Sequence, residues 1–372
     1  MQRPPAEIGQ SVDEVDTPAL IVELDAFEAN LQRMARLGRE YGINFRPHAK
    51  THKTPAIAQL QVKAGAIGVC CQKVSEAEVM VEGGIADVYV SNEVVGRKKV
   101  ERLAALGRRA RISTCIDHPD QIEPLSDAAR RFGVTLGVRV EIRVGNRCGI
   151  PPGTAAVDLA NQIASSPGLR FEGLQAYNGK AQHIYGHAER LISVTQTIAD
   201  ARNTRDALKA AGFDCLYIGG AGSGTYALEG QSGIYNELQC GSYLFMDLDY
   251  GKLRNAGGAP VVDWQHSLFV LATVMSRPEP ARALCDAGLK AVSIDSGGPA
   301  LAGNSRAEWV RGGDDHSGWL FADPAEAPAL GDKIRLVPGH CDPTINMHDW
   351  FVGIRGGKVE TLWPILARGA VT

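Results

Sequence analysis

Between residues 19 and 245, short apolar runs rich in β-branched and aromatic residues alternate with longer amphipathic stretches rich in Ala, Leu, Arg and Glu. This alternation constrains the fold more than any other feature. The strand candidates are ALIVEL (19–24), INFRPHAK (43–50), GVCCQK (68–73), VYVSN (88–92), RISTCID (111–117), GVRVEI (137–142), FEGLQAY (171–177), CLYIGG (215–220) and ELQCGSYLF (237–245). Helix candidates such as DAFEANLQRMARLGREYG (25–42) and AERLISVTQTIADARNTRDALKAAG (188–212) lie between them. A helix after each strand carries the chain back so that the next strand runs parallel. About eight such units in roughly 230 residues suit a closed (β/α)8 TIM-type barrel better than an open sheet.

After Tyr250 the helix-period stretches vanish and Gly, Pro and Trp become frequent. The runs SLFVLATVM (267–275), KIRLVP (333–338) and WFVGIRGGKVETLW (350–363) predict an antiparallel β-domain, with RGGK (355–358) as a hairpin turn. The expected division is a barrel over 18–250 and a β-domain over 251–372, joined by residues 1–17, with the boundary near 250–262.

Composition excludes several classes of function. A formal net charge of -3 lacks the basic excess that nucleic-acid binding requires. No uncharged apolar run reaches the ~18 residues of a membrane span, and MQRPPAEIGQ has no apolar core of a signal peptide. The eight cysteines are scattered with no CxxC pair and read as reduced thiols, so a cytoplasmic protein with a small-molecule partner is expected.

In a βα barrel, chemistry collects at the C-terminal ends of the strands. Those ends carry His48, Lys50 and His52; Gln72 and Lys73; Asn92; Asp117; Arg147; Tyr177; and Gln239 to Tyr243. If PHAKTHK (47–53) is extended, His48, Lys50 and His52 share a face, and an amine desolvated beside cations loses its proton more easily and becomes nucleophilic. An exposed basic loop is the plainer reading of the same spacing. The turn GGAGSGT (219–225) lacks both the dinucleotide fingerprint and the P-loop lysine; a phosphomonoester cradle or a plain tight turn fits it. In PGHCDPTINMHD (338–349), an extended backbone would put His340 and Asp342 on one face, able to hold a divalent ion, with Cys341 pointing away. His348 and Asp349 are the alternative ligands, but as neighbours on a strand they would diverge.

Taken in order, RPHAKTHK, GVCCQKVSEAE, SNEVV, GNRCGI, QAYNG, SGIYNELQCGSYLFMD, DAGLK and PGHCDPTINMHDW resemble the D-threonine aldolase and 3-hydroxy-D-aspartate aldolase family, related to D-serine dehydratase. Those enzymes have the alanine-racemase-like fold, fold type III of the pyridoxal-phosphate enzymes, and the resemblance covers essentially the whole chain. It implies that Lys50 carries pyridoxal 5′-phosphate, that Arg147 faces the pyridine nitrogen and that Tyr177 lies beside the ring. An arginine there would leave the ring nitrogen largely unprotonated. Gly222, Ser223, Gly224, Gly241, Ser242 and Tyr243 would hold the phosphate, with Gln72 and His183 near the reacting centre. Ala221 stands where the family pattern leads one to expect a further glycine. His340 and Asp342 resemble the His-x-Asp pair of the aldolases, suited to Mn2+ or Mg2+, rather than the His-x-Cys of the dehydratases.

The activity implied is retro-aldol cleavage of a D-β-hydroxy-α-amino acid to glycine and an aldehyde or glyoxylate, with His183 or a hydroxide at the metal as base. Elimination, as in D-serine or 3-hydroxyaspartate dehydratase, is the alternative. Outside readings are a non-catalytic pyridoxal-phosphate-binding protein and a phosphate-binding barrel lyase using Lys50 on a sugar. A homodimer is implied, with one subunit's β-domain over the other's barrel mouth. Arg306, Arg311 and His316 are candidates for a second substrate carboxylate.

Overall fold

The computed structural model describes residues 1–145 and 147–372. Eight strands form one parallel sheet: β2 (Asn44–Phe45), β3 (Val69–Cys71), β4 (Asp87–Glu93), β5 (Arg111–Ile116), β6 (Leu136–Glu141), β7 (Leu169–Gln175), β8 (Tyr217–Gly220) and β9 (Glu237–Leu238), preceded in the chain by β1 (Ala19–Glu23). Their spatial order is β2-β9-β8-β7-β6-β5-β4-β3. A parallel bridge between His48 and Cys70 joins the two ends, with Ala49 N–H donating to Cys70 O at 2.7 Å, so the sheet closes into the expected barrel.

Helices pack outside the barrel as the periodicity predicts. The helix expected over 25–42 spans Leu24–Tyr41; it buries Leu24, Phe27, Leu31 and Met34 and ends on Gly42 in the left-handed conformation (φ 64°). The stretch expected over 188–212 is helical from His187 to Ala210.

ALIVEL departs from the expectation that it opens the barrel. β1 lies instead in a nine-stranded sheet with β10 (Leu268–Glu279), β11 (Arg282–Cys285), β12 (Ala300–Leu301), β13 (Glu308–Val310), β14 (Ser317–Leu320), β15 (Lys333–Val337), β16 (Trp350–Arg355) and β17 (Lys358–Pro364). It runs antiparallel to β10 and parallel to β16, and both its faces are buried. An unbroken apolar run fits a strand buried on both faces in either sheet, so its periodicity could not choose between them. The RGGK hairpin forms as expected: Arg355 pairs with Lys358, and Gly356 and Gly357 both take positive φ (57° and 76°). Residues 9–12 line up against β17, with Gly9 N–H donating to Val359 O and Val12 N–H to Gly357 O.

The barrel interior is charged beneath its C-terminal mouth. Glu237 accepts from Arg139 Nη1 at 2.6 Å and from Arg46 Nε at 2.8 Å, and all three side chains are buried. Arg139 lies over the Tyr89 ring, 3.9 Å from its centroid. Burial alone would raise the Glu237 carboxyl, but the two guanidinium groups hold it down at about 2. Gln239 links this layer to the mouth by donating to Glu237 Oε1 at 2.8 Å and bonding Gln175.

Candidate active site

At the C-terminal mouth lies a cavity of about 440 Å³ that gathers His48, Lys50, Gln72, Arg147, Tyr177 and His183 from the barrel loops with His340 and Asp342 from the chain that follows β15. Gly222, Ser223, Gly241 and Ser242 line its opposite wall. A larger hollow of about 780 Å³ between the helices Arg97–Leu106 and Ile122–Phe132 contains none of the predicted site residues.

PHAKTHK is not a strand. β2 ends at Phe45, and after the His48 bridge the backbone turns, so the period-two argument does not govern it. His48 and Lys50 do reach the cavity. His52 does not: its Nε2 bonds Gln61 Oε1 at 3.1 Å and its Nδ1 accepts from Thr54 N–H. Lys53 is buried, not part of an exposed basic loop, and pairs with Glu76 at 2.7 Å. The Lys50 ammonium also departs from expectation. Burial pulls its pKa down, but Asp342, Tyr177 and Glu76 outweigh burial and raise it above the ordinary lysine value. The expected cationic neighbour His48 is itself driven well below the usual histidine range by burial and by Lys50, and so is neutral. It bonds Gln72 Nε2 at 3.0 Å and Ser91 Oγ at 3.2 Å.

Arg147 is gripped from behind. Its Nε and Nη2 bond the two Glu141 oxygens at 3.1 and 2.7 Å, and Nη2 also donates to Ser91 O at 3.0 Å. Nη1 is left as its unpaired edge among the described residues. Burial pushes the Glu141 carboxyl up to about 7 against the pull of Arg147. Asp117 steadies the loop by accepting from Gly149 N–H at 3.0 Å.

His340 and Asp342 reach the cavity by a route other than the extended segment expected. His340 is the extended N-cap residue (φ -143°, ψ 127°) of the short helix Cys341–Ile345, and Asp342 lies in its first turn. The helical turn, not a strand pleat, brings both side chains to the cavity, while Cys341 is buried away from it in the core. Asp342 Oδ2 is 3.9 Å from Lys50 Nζ. His340 Nδ1 bonds Asp295 Oδ2 at 2.8 Å, leaving Nε2 for a ligand. His348 is bonded to Ala291 O and Asp349 accepts from Gln2 N–H; neither lines the cavity.

Two known families cover most of the chain: the alanine racemase N-terminal domain over residues 22–249 and the putative serine dehydratase domain over residues 267–354. The 3-hydroxy-D-aspartate aldolase of Paracoccus denitrificans (strain Pd 1222) is 45% identical over 98% of this chain and 95% of its own length. The D-threonine aldolase of Arthrobacter sp is 44% identical over 98% of this chain and 96% of its own. The crystal structure of D-threonine aldolase from Filomicrobium marinum superimposes with a TM-score of 0.96 at 48% identity, covering 99% of this chain and 100% of that one. The chain belongs to the D-threonine aldolase and 3-hydroxy-D-aspartate aldolase family.

Membership of this aldolase family, a family of carbon–carbon lyases with the alanine-racemase-like fold, implies pyridoxal phosphate, and the residues present fit it. The Thr51 hydroxyl is buried with no hydrogen-bond partner and faces Gly241, where an added Cβ would come within 2.3 Å of it. A Cβ on Gly222 would strike the Gln182 side chain at 2.3 Å. The two glycines keep this wall of the cavity free of side chains, and the unpartnered Thr51 hydroxyl lines the same cavity as Lys50, a donor available to a phosphate. Gly224 and Tyr243 stand apart from the cavity lining. Gly224 N–H donates to Gln182 Oε1, Tyr243 N–H to Ser223 Oγ, and the Tyr243 phenol is buried against Gln61. Ala221 is buried and takes a positive φ (64°), a conformation that favours glycine over alanine.

A divalent ion also suits the donor set. His340 is oriented by a carboxylate, and among the described residues Asp342 makes no pair with an arginine. The other group of potential ligands among the described residues, Glu93, Glu141 and Cys148, is already occupied through the hold of Glu141 on Arg147.

Sequence reasoning missed Thr51, which stands inside PHAKTHK but off the face assigned to chemistry. It also missed Asp249, whose carboxylate bonds His183 Nδ1 at 2.7 Å and Tyr185 Oη at 2.6 Å. No spacing signal links Asp249 to His183. Arg306 pairs with Glu326, and neither it, Arg311 nor His316 lines the cavity of this chain. All eight cysteines are free thiols, and no helix among the described residues is long and apolar enough to cross a membrane.

Proposed function

We propose that the chain catalyses pyridoxal-phosphate- and divalent-metal-dependent retro-aldol cleavage of a D-β-hydroxy-α-amino acid, of the D-threonine or D-3-hydroxyaspartate type, to glycine and an aldehyde or glyoxylate. The observation that carries this reading is the approach of Lys50 Nζ to Asp342 Oδ2 at 3.9 Å, which makes the cofactor anchor and the ligand pair neighbours in one cavity.

Lys50 would hold the cofactor, Gly222, Ser223, Gly241, Ser242 and Thr51 its phosphate, and the free edge of Arg147 its ring nitrogen. The cofactor supplies a sink for the electron pair left at Cα, and a metal at His340 and Asp342 supplies Lewis acidity toward the β-hydroxyl. His183 accepts the hydroxyl proton at Nε2, because Nδ1 is tied to Asp249 and the ring is thereby oriented. The Cα–Cβ bond breaks as that proton leaves, the aldehyde departs, and protonation at Cα gives glycine. A homodimer belongs to the same reading, and light scattering of the purified protein tests it.

Incubation of the reconstituted protein with Mn2+ and D-threonine or D-3-hydroxyaspartate should release glycine. Ammonia and an oxo acid instead of glycine would establish elimination. Asp342→Ala should abolish metal-dependent turnover and leave the cofactor absorbance intact; full activity without added metal would overturn the role given to the pair.

A further inference from the structure

We infer that Lys73 is the cation that receives the substrate's α-carboxylate. The inference rests on the proposed function only in requiring an amino acid substrate at the bound cofactor.

Six side chains lining the cavity carry or can carry positive charge: His48, Lys50, Lys73, Arg147, His183 and His340. Lys50 faces Asp342 and Arg147 is held by Glu141. His183 is bonded to Asp249 and His340 to Asp295, while His48 is bonded to neutral groups. Lys73 lines the same cavity, and among the described residues no carboxylate lies within 4.0 Å of its ammonium.

The nearest acidic residue in sequence, Glu76, is committed elsewhere. Its Oε1 takes Lys53 Nζ at 2.7 Å, and its Oε2 accepts the backbone N–H groups of Gln72 at 2.8 Å and Lys73 at 3.2 Å. Glu76 therefore fixes the backbone from which Lys73 reaches out without neutralising its charge. The side chain is half-buried beside Gln72, the residue bonded to His48, just past the end of β3, whose Cys70 bridges His48 at the start of the turn that carries Lys50. An amino acid whose amine is engaged at Lys50 carries its carboxylate one carbon away. A half-buried ammonium without a counter-ion in that cavity is complementary to it.

The test uses a ligand that binds without being cleaved. D-Alanine has no β-hydroxyl, so the change it causes in the holoenzyme's cofactor absorbance reports binding alone; ethylamine, which has no carboxylate, is the control. Lys73→Met should weaken D-alanine binding by about 10- to 100-fold, the range of one charge-assisted contact, and change ethylamine binding by less than about 2-fold. Lys73→Arg should restore most of the loss, and Lys73→Gln serves if the Met variant is poorly folded. Unchanged D-alanine affinity would overturn the assignment, as would equal weakening of both ligands, which marks a structural effect. Failure here leaves the glycine assay untouched, whereas a preparation without cofactor absorbance would overturn the proposed function and this assignment together.

Discussion

Lys53 Nζ lies 2.7 Å from Glu76 Oε1, with both side chains buried, and this pair ties the turn that carries Lys50 to the loop that carries Gln72 and Lys73. The C-terminal segment joins the same knot: Ala367 N–H donates to Lys53 O, and Lys53 Nζ reaches Ala370 O. Glu76→Gln would leave an ammonium buried without its counter-ion. The expected loss of stability is about 3 kcal/mol in urea unfolding. A loss under about 1 kcal/mol would show that the pair is dispensable.

His52 is buried in its neutral form, and burial lowers its pKa to about 4 despite the Gln61 and Thr54 bonds. In the unfolded chain it titrates at about 6.5. Between these values the unfolded state binds the proton and the native state does not. The contribution is therefore fully present above about pH 6.5 and is lost as pH falls toward about 4, to a total of about 3 kcal/mol. His48, shifted in the same direction, adds to it. Unfolding free energies measured across that window should decline with acid, and less steeply in His52→Asn.

Asp249 is held below the ordinary carboxylate range; burial opposes this, and the Tyr185 and His183 hydrogen bonds outweigh burial. Its anionic form fixes the orientation of His183. With His183 as base, Asp249→Asn should lower kcat by about 10²-fold with little change in KM. An unchanged kcat in steady-state assays would remove His183 from proton transfer.

Gly241 approaches Thr51 so closely that its Cα hydrogen cannot become a methyl group without displacement of the Thr51 hydroxyl or of His48 O, 2.3 and 3.2 Å from an ideal Cβ. Gly241→Ala should weaken pyridoxal-phosphate binding by about 10-fold or more in an absorbance titration, equivalent to about 1.4 kcal/mol. Unchanged affinity would place the phosphate elsewhere.

The order of barrel strands after β1, the Gly-Gly hairpin and the identity of the chemical residues were legible because each depends on local chemistry: period, turn propensity, or a side chain with few other uses. The face on which a motif presents its residues was less legible. PHAKTHK was read as either an extended segment or an exposed basic loop and PGHCDPTI as extended; the first is a buried turn after the His48 bridge, and the second is a short helix capped by His340. Lys50 and Asp342 are brought together all the same, but His52 is turned into the core.

The sequence alone therefore determined the repeating βα architecture, the β-rich second half and the chemical class of the cavity residues, since side-chain chemistry and periodicity are carried by the chain itself. Tertiary structure alone decided that β1 joins the nine-stranded sheet, that Asp342 meets Lys50 and raises its pKa rather than leaving it lowered, and that Asp249 stands behind His183. Each of these depends on contacts between residues 66 or more positions apart, where burial and the sign of a neighbouring charge are set by packing and no local pattern reports them.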